Sequence, residues 1–174
     1  MEKKFQLIFY PAFIFVIILI LIFQGSFLSY FFSQGCMPDL VLIIVLCLTF
    51  LTDEKRGMLA GIIAGLLQDI IFGPALGVFT LAKMLAAFGA GLISREIYKD
   101  QIVGPTLAVF LLTFFHEAIV FLLVSLVWRG SCFNFYYSFK NLFLTRAFYH
   151  LILTIPLYPL LYRAEQKNFF LPYF

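Results

Sequence analysis

Charge is what this 174-residue chain has least of. Only 12% of it is Asp, Glu, Lys or Arg, against 63% hydrophobic residues, 20% of the chain being aromatic, and the mean hydropathy is +1.03. A soluble domain has no way to hide so much apolar surface, so lipid is the expected solvent for most of the protein. Alternating strands of the barrel type are also missing, which leaves an all-α integral membrane protein of several spans. The net charge of +3 is small and the basic residues are scattered, so nucleic acid is not an expected partner.

The usual marks of chemistry are absent too. There is no Gly-x-Ser-x-Gly and no phosphate-binding Walker loop. The cysteines, Cys36, Cys47 and Cys132, show neither metal spacing nor a CxxC pair, and the two histidines, His116 and His150, fall on different predicted helices with no cysteine or carboxylate ligand set beside them beyond Glu117. Cys36 and Cys132 lie in predicted outward loops, where unpaired thiols fit better than a disulfide. An intramembrane aspartyl protease needs two carboxylates at one site; Asp69 and Glu117 are expected at different depths. No enzyme activity, cofactor or metal is therefore expected.

What is present is a series of apolar runs cut by short polar links. Lys3 and Lys4 precede a run from Phe5 to Phe32, too long for a signal-peptide core and without a small-x-small cleavage site, so it reads as an uncleaved first span. Pro38 suits the first turn of a short second span, about Asp39 to Thr52. The cluster Asp53-Glu54-Lys55-Arg56 separates this from a third span, about Gly57 to Phe72, and Gly73-Pro74 turns the chain into a fourth, about Gly77 to Ile93. A fifth runs from about Val103 to Trp128. Aromatic residues Phe133, Phe135, Tyr136, Tyr137 and Phe139 then suggest a headgroup interface. The sixth, about Leu142 to Leu161, is diluted by Arg146, His150, Pro156 and Pro159, and a tilted or partly interfacial helix fits it. No internal repeat or linker is evident, so residues 1–174 read as a single polytopic membrane domain.

Basic residues near the span ends set the orientation. With the amino terminus inside, Lys3, Lys4, Lys55, Arg56, Arg95, Lys99, Arg163 and Lys167 lie on the cytoplasmic side, against Arg129, Lys140 and Arg146 outside. Six helices with both termini cytoplasmic satisfy this count.

The third span carries the strongest pattern. Gly57, Gly61, Gly65, Asp69, Gly73 and Gly77 recur at every fourth position, so within a helix they share one stripe on which a neighbouring backbone can approach closely. A carboxylate in hydrocarbon costs roughly 2.5 to 3.5 kcal/mol on insertion scales, so Asp69 is expected to face protein or water. Asp69 and Lys83 are equidistant from position 76 in the turn, which predicts similar depth in a tight glycine-rich hairpin and an ion pair between them. His116 and Glu117 lie near the middle of the fifth span. Adjacent residues are about 100° apart around a helix, so these two are expected to point in different directions, Glu117 in a structural hydrogen bond or, as the sharper reading, a proton relay.

These residues resemble the bacterial rod shape-determining MreD family. The resemblance is carried by Pro38-Asp39-Leu40, the charged link Asp53 to Arg56, and Gly57-x3-Gly61-x3-Gly65-Leu66-Leu67-Gln68-Asp69 followed by Gly73-x3-Gly77. It covers most of residues 37 to 93, with hydropathy and length alone beyond. It implies a multi-pass protein of the bacterial cytoplasmic membrane, a non-enzymatic component of cell-wall elongation partnered with MreC, and through it with MreB filaments, RodA and its transpeptidase. Pro38, Asp39, Gly61, Gly65, Asp69, Gly73 and Gly77 are the positions carried over, as a helix-packing or partner interface; Lys83, His116 and Glu117 match no family pattern.

Two other classes compete. A substrate-binding subunit of an energy-coupling-factor vitamin transporter has similar size and six helices, but its first span carries an Ala-x-x-x-Ala motif, and here that span has only Ala12. A small proton-coupled transporter using Glu117 is the third reading; no chain of further acids continues its path.

Overall fold

The computed structural model describes residues 2–28, 30, 37–96, 101–127 and 143–166, with side chains described from residue 11 onward. Cys36, Cys132, Lys99, Lys167 and the aromatic stretch between Arg129 and Lys140 lie outside the described residues. Among the described residues, regular structure is entirely helical. The helices are α1 (Glu2–Phe23, continued by a π-helical turn Gln24–Leu28), α2 (Leu40–Leu51), α3 (Glu54–Phe72), α4 (Val78–Ser94), α5 (Val103–Val127) and α6 (Leu144–Gln166). Two stretches, Pro11–Leu28 and Val103–Val127, are long and apolar enough to cross a membrane.

The shortest helix is the axis of the bundle. α2 is apolar on every side (LVLIIVLCLTFL), and a helix hydrophobic all round has to be enclosed. Every residue from Val41 to Leu51 except Ile44 is buried. α1, α3, α4, α5 and α6 all pack against it. One face of α2 (Leu42, Ile43, Leu46, Phe50) meets Ala86 and Ala90 of α4, Ala108, Val109 and Leu112 of α5 and Tyr158 of α6. The other (Val41, Val45) meets Ile17 and Leu21 of α1 with Ala64 and Ala87. Large apolar side chains elsewhere point outward, among them Phe15, Ile70, Leu111 and Ile152. A bundle with a small-residue interior and an apolar exterior is arranged for lipid rather than water.

α3 and α4 form the closest helix pair. An added Cβ on Gly61 would stand 2.9 Å from the Lys83 carbonyl oxygen, and one on Gly65 2.5 Å from the Thr80 Cα, so both glycines lie directly against the α4 backbone. Gly57, at the start of the same stripe, lies against Thr49 of α2. The turn closes with Gly73 capping α3, its N–H donating to the Asp69 carbonyl, and Gly77 at φ +100° preceding α4.

Two boundaries differ from the sequence reading. Pro38 lies outside the helix, ahead of the capping residue Asp39, rather than in its first turn. α6 runs on through Pro156 and Pro159 to Gln166, because each proline removes one N–H but keeps a helical φ, and packing against α5 and α2 holds the rest.

Candidate functional site

Among the described residues, most of the buried polar side chains gather at one end of the bundle. The N-terminus of α2 lies inside the fold there, so its free N–H groups need protein partners. Asp39 and His150 supply them: Asp39 Oδ1 accepts from Leu42 N at 3.0 Å, and the Asp39 N–H donates to His150 Nε2 at 2.8 Å. Because Nε2 accepts a backbone proton, the imidazole proton sits on Nδ1, 2.9 Å from Thr113 Oγ1, whose hydroxyl in turn donates to the Val109 carbonyl. The other carboxylate oxygen of Asp39 takes the fully buried Lys83 Nζ and, at 3.3 Å, Gln68 Nε2. Lys83 Nζ also lies 5.3 Å from the centre of the Phe79 ring.

The expected pair between Asp69 and Lys83 is therefore not formed. Asp69 instead caps the next helix across the turn. Its Oδ1 accepts from Phe79 N at 2.8 Å, and its Oδ2 from Gly77 N at 2.9 Å, Thr80 N at 3.0 Å and Thr80 Oγ1 at 2.6 Å. Gly77 stands at the N-cap of α4 and has no side chain to do this. With four donors at the positive end of a helix, Asp69 has no need of a cation, and Lys83 is left to Asp39.

His116 and Glu117 also depart from expectation, since both turn inward. α5 packs on α4 on one side and α6 on the other, and an arc of about 100° fits between those contacts. Glu117 accepts two bonds from Arg146 Nη1, at 3.0 and 2.8 Å. His116 Nδ1 stands 3.5 Å from Glu117 Oε1, and neither of its ring nitrogens has a hydrogen-bond partner among the described residues.

These groups border a cavity of about 190 Å³, lined by Asp39, Gln68, His116, Glu117 and Arg146 with Gln24 from the π turn, and closed on the apolar side by Met37, Phe72 and Phe79. Sequence reasoning missed Gln24, Gln68, Arg146, His150 and Thr113 as members of this cluster. The one available signal was parity: a cation placed in a span, such as Arg146, requires an acid, and Glu117 was the acid without one. At the opposite end of the bundle, Glu54 of α3 pairs with Arg95 after α4 at 2.7 Å, beside Gly91 and Ser94, on a surface open to solvent.

The sequence matches the family described as rod shape-determining protein MreD over residues 3–167 of the chain. The chain belongs to the MreD family. No curated protein and no solved structure matches it. Membership makes it a bacterial membrane protein of the cell-shape machinery, and of a family defined by a structural role rather than by catalysis. Pro38, Asp39, Gly61, Gly65, Asp69, Gly73 and Gly77, the positions on which the resemblance rests, all lie in the interior or at the α3–α4 turn of this bundle. Gly61 and Gly65 face α4, Asp69 and Gly77 build its start, and Asp39 holds Lys83, His150 and Gln68 together.

Proposed function

We propose that this chain is a multi-pass component of the cytoplasmic membrane, both termini inside, that partners MreC and links it to lateral peptidoglycan synthesis by RodA and its transpeptidase under MreB filaments. The observation that carries the reading is the family match over residues 3–167. The geometry supports a holding role. The charges of Asp39, Lys83 and Glu117, all buried, and of the partly exposed Arg146 are engaged with one another, and Asp69 is engaged with backbone, which builds a stiff bundle instead of a transport path. The same match favours the cell-shape reading over a vitamin-binding subunit.

Because Gly61 and Gly65 are covered by α4, a single-span partner helix docks on the outward apolar faces rather than in the glycine seam. The deciding experiment is depletion of the protein in a rod-shaped host, together with affinity purification from its membranes. Rounded cells and recovery of MreC are the expected result. Cells that stay rod-shaped on depletion, or a preparation without MreC, would overturn the reading.

A further inference from the structure

The cavity at the polar end of the bundle is more than a by-product of pairing charges. Its ionised groups cancel: Asp39 is bonded to Lys83, and Glu117 to Arg146. What remains unmatched on its wall is neutral. Gln68 Nε2 donates to the Asp39 carboxylate, which only accepts, so the Gln68 amide orientation is fixed and its Oε1 is a true carbonyl acceptor; it is buried without a partner among the described residues. Among the described residues Gln24 Oε1 is buried and unpartnered as well, and His116 Nε2 has no hydrogen-bond partner, while His116 Nδ1 lies 3.5 Å from Glu117 Oε1. The wall residues that carry these atoms are nearly inaccessible, at 4% for Gln24, 5% for Gln68 and 1% for His116. A neutral imidazole offers one donor and one acceptor. Leaving such groups unmet is costly, so three unmet atoms around one space, with the long His116–Glu117 contact beside them, mark something that fills it.

We infer that this cavity binds a small, uncharged, hydroxyl-rich group. Hydroxyls both donate and accept, which suits two carbonyl oxygens and one imidazole facing the same space. An added ion finds no uncompensated countercharge. A volume of about 190 Å³ is below the ordinary range for drug-sized ligands, so it takes a compact polyol or the polar head of a larger molecule. Phe72 is 46% exposed and the Arg146 side chain 25% exposed, so the wall opens to the surface at both, and Phe72 gives an apolar lip along which an acyl chain can lie. The chemistry is shared by two sources, a glycerol-type lipid headgroup and a free polyol. This site is independent of the MreC partnership, and its failure leaves that reading untouched.

The test uses the full chain in phosphatidylcholine nanodiscs and follows thermal unfolding. One arm replaces a minor part of the lipid with phosphatidylglycerol, a second uses phosphatidic acid in its place, and a third adds millimolar free glycerol. Stabilisation by phosphatidylglycerol but not by phosphatidic acid identifies the headgroup hydroxyls; saturable stabilisation by glycerol identifies a soluble polyol. In either case His116→Phe and Gln24→Leu fold at least as well as the parent, having lost an unpartnered polar group, and bind about tenfold or more weakly. Three results would overturn the inference: no shift in any arm, equal shifts with phosphatidylglycerol and phosphatidic acid without a glycerol effect, or shifts unchanged in both variants. Each of these outcomes leaves ordered water as the only occupant.

Discussion

Lys83 of α4 reaches across the bundle interior to the carboxylate of Asp39, the residue that also caps α2. One acid thus closes a helix end and neutralises a buried cation. Removing Lys83 alone, as Lys83→Met, leaves Asp39 charged in a closed interior and is expected to cost about 3–5 kcal/mol. Asp39→Asn alone strands the ammonium at similar cost. The double variant Asp39→Asn with Lys83→Met keeps an oxygen for Leu42 N and removes both charges, so it recovers most of the loss. Thermal unfolding of the four proteins in detergent reads this coupling; additive losses would sink it.

Asp69 makes a different prediction, because its partners are backbone. Asp69→Ala exposes the amides of Gly77, Phe79 and Thr80, and hydrogen exchange at Phe79 and Thr80 rises sharply. Lys83→Met leaves the protection of these amides in place wherever the bundle remains folded. If Asp69→Ala raises exchange only as much as Lys83→Met does, the cap has been misassigned.

The glycines separate into two kinds. At Gly65 a methyl group meets the Thr80 backbone, which has no rotamer to give way, so Gly65→Ala costs at least the 1–3 kcal/mol typical of overpacking. At Gly77 nothing lies within 4 Å of an added Cβ, and the penalty is the left-handed φ alone, about 1–2 kcal/mol. Gly77→Asn therefore unfolds at a higher temperature than Gly77→Val, whereas Gly65 tolerates neither. Comparable melting of Gly65→Ala and the parent would contradict the contact.

His150 is predicted to matter through its acceptor nitrogen. His150→Leu leaves the Asp39 N–H buried and unpaired at a cost of about 1–3 kcal/mol, and His150→Gln, which offers a carbonyl oxygen, returns part of it. Unfolding of the two variants side by side distinguishes a lost bond from lost volume; equal loss in both refutes the bond.

How far the sequence could be read follows from which forces are local. Helix positions were legible because apolar runs and the punctuation Asp53–Arg56 and Gly73-Pro74 are local signals, and four-residue glycine spacing points to backbone contact of the kind Gly61 and Gly65 make. Pairing was not. Three acids, Asp39, Asp69 and Glu117, and two bases, Lys83 and Arg146, allow several matches, and equal distance from a turn picked the wrong one because backbone N–H groups competed successfully for Asp69. Treating Asp39 as a helix-opening residue hid it as an ionic partner. Counting Arg146 only as an outward cation near the end of the sixth span hid its bond to Glu117, which the packing of α5 on α6 reveals.

The twelve residues of α2 carry one last implication. At 1.5 Å per residue such a helix rises about 18 Å, while a hydrocarbon layer is about 30 Å thick. Asp53, exposed at its far end, belongs at one boundary of that layer, so Asp39 starts roughly 12 Å beneath the other. The molecule thus holds its polar cluster at a depth that acyl tails ordinarily occupy, walled off from them by the longer helices around α2, of which Val103–Val127 is long enough to cross the layer alone.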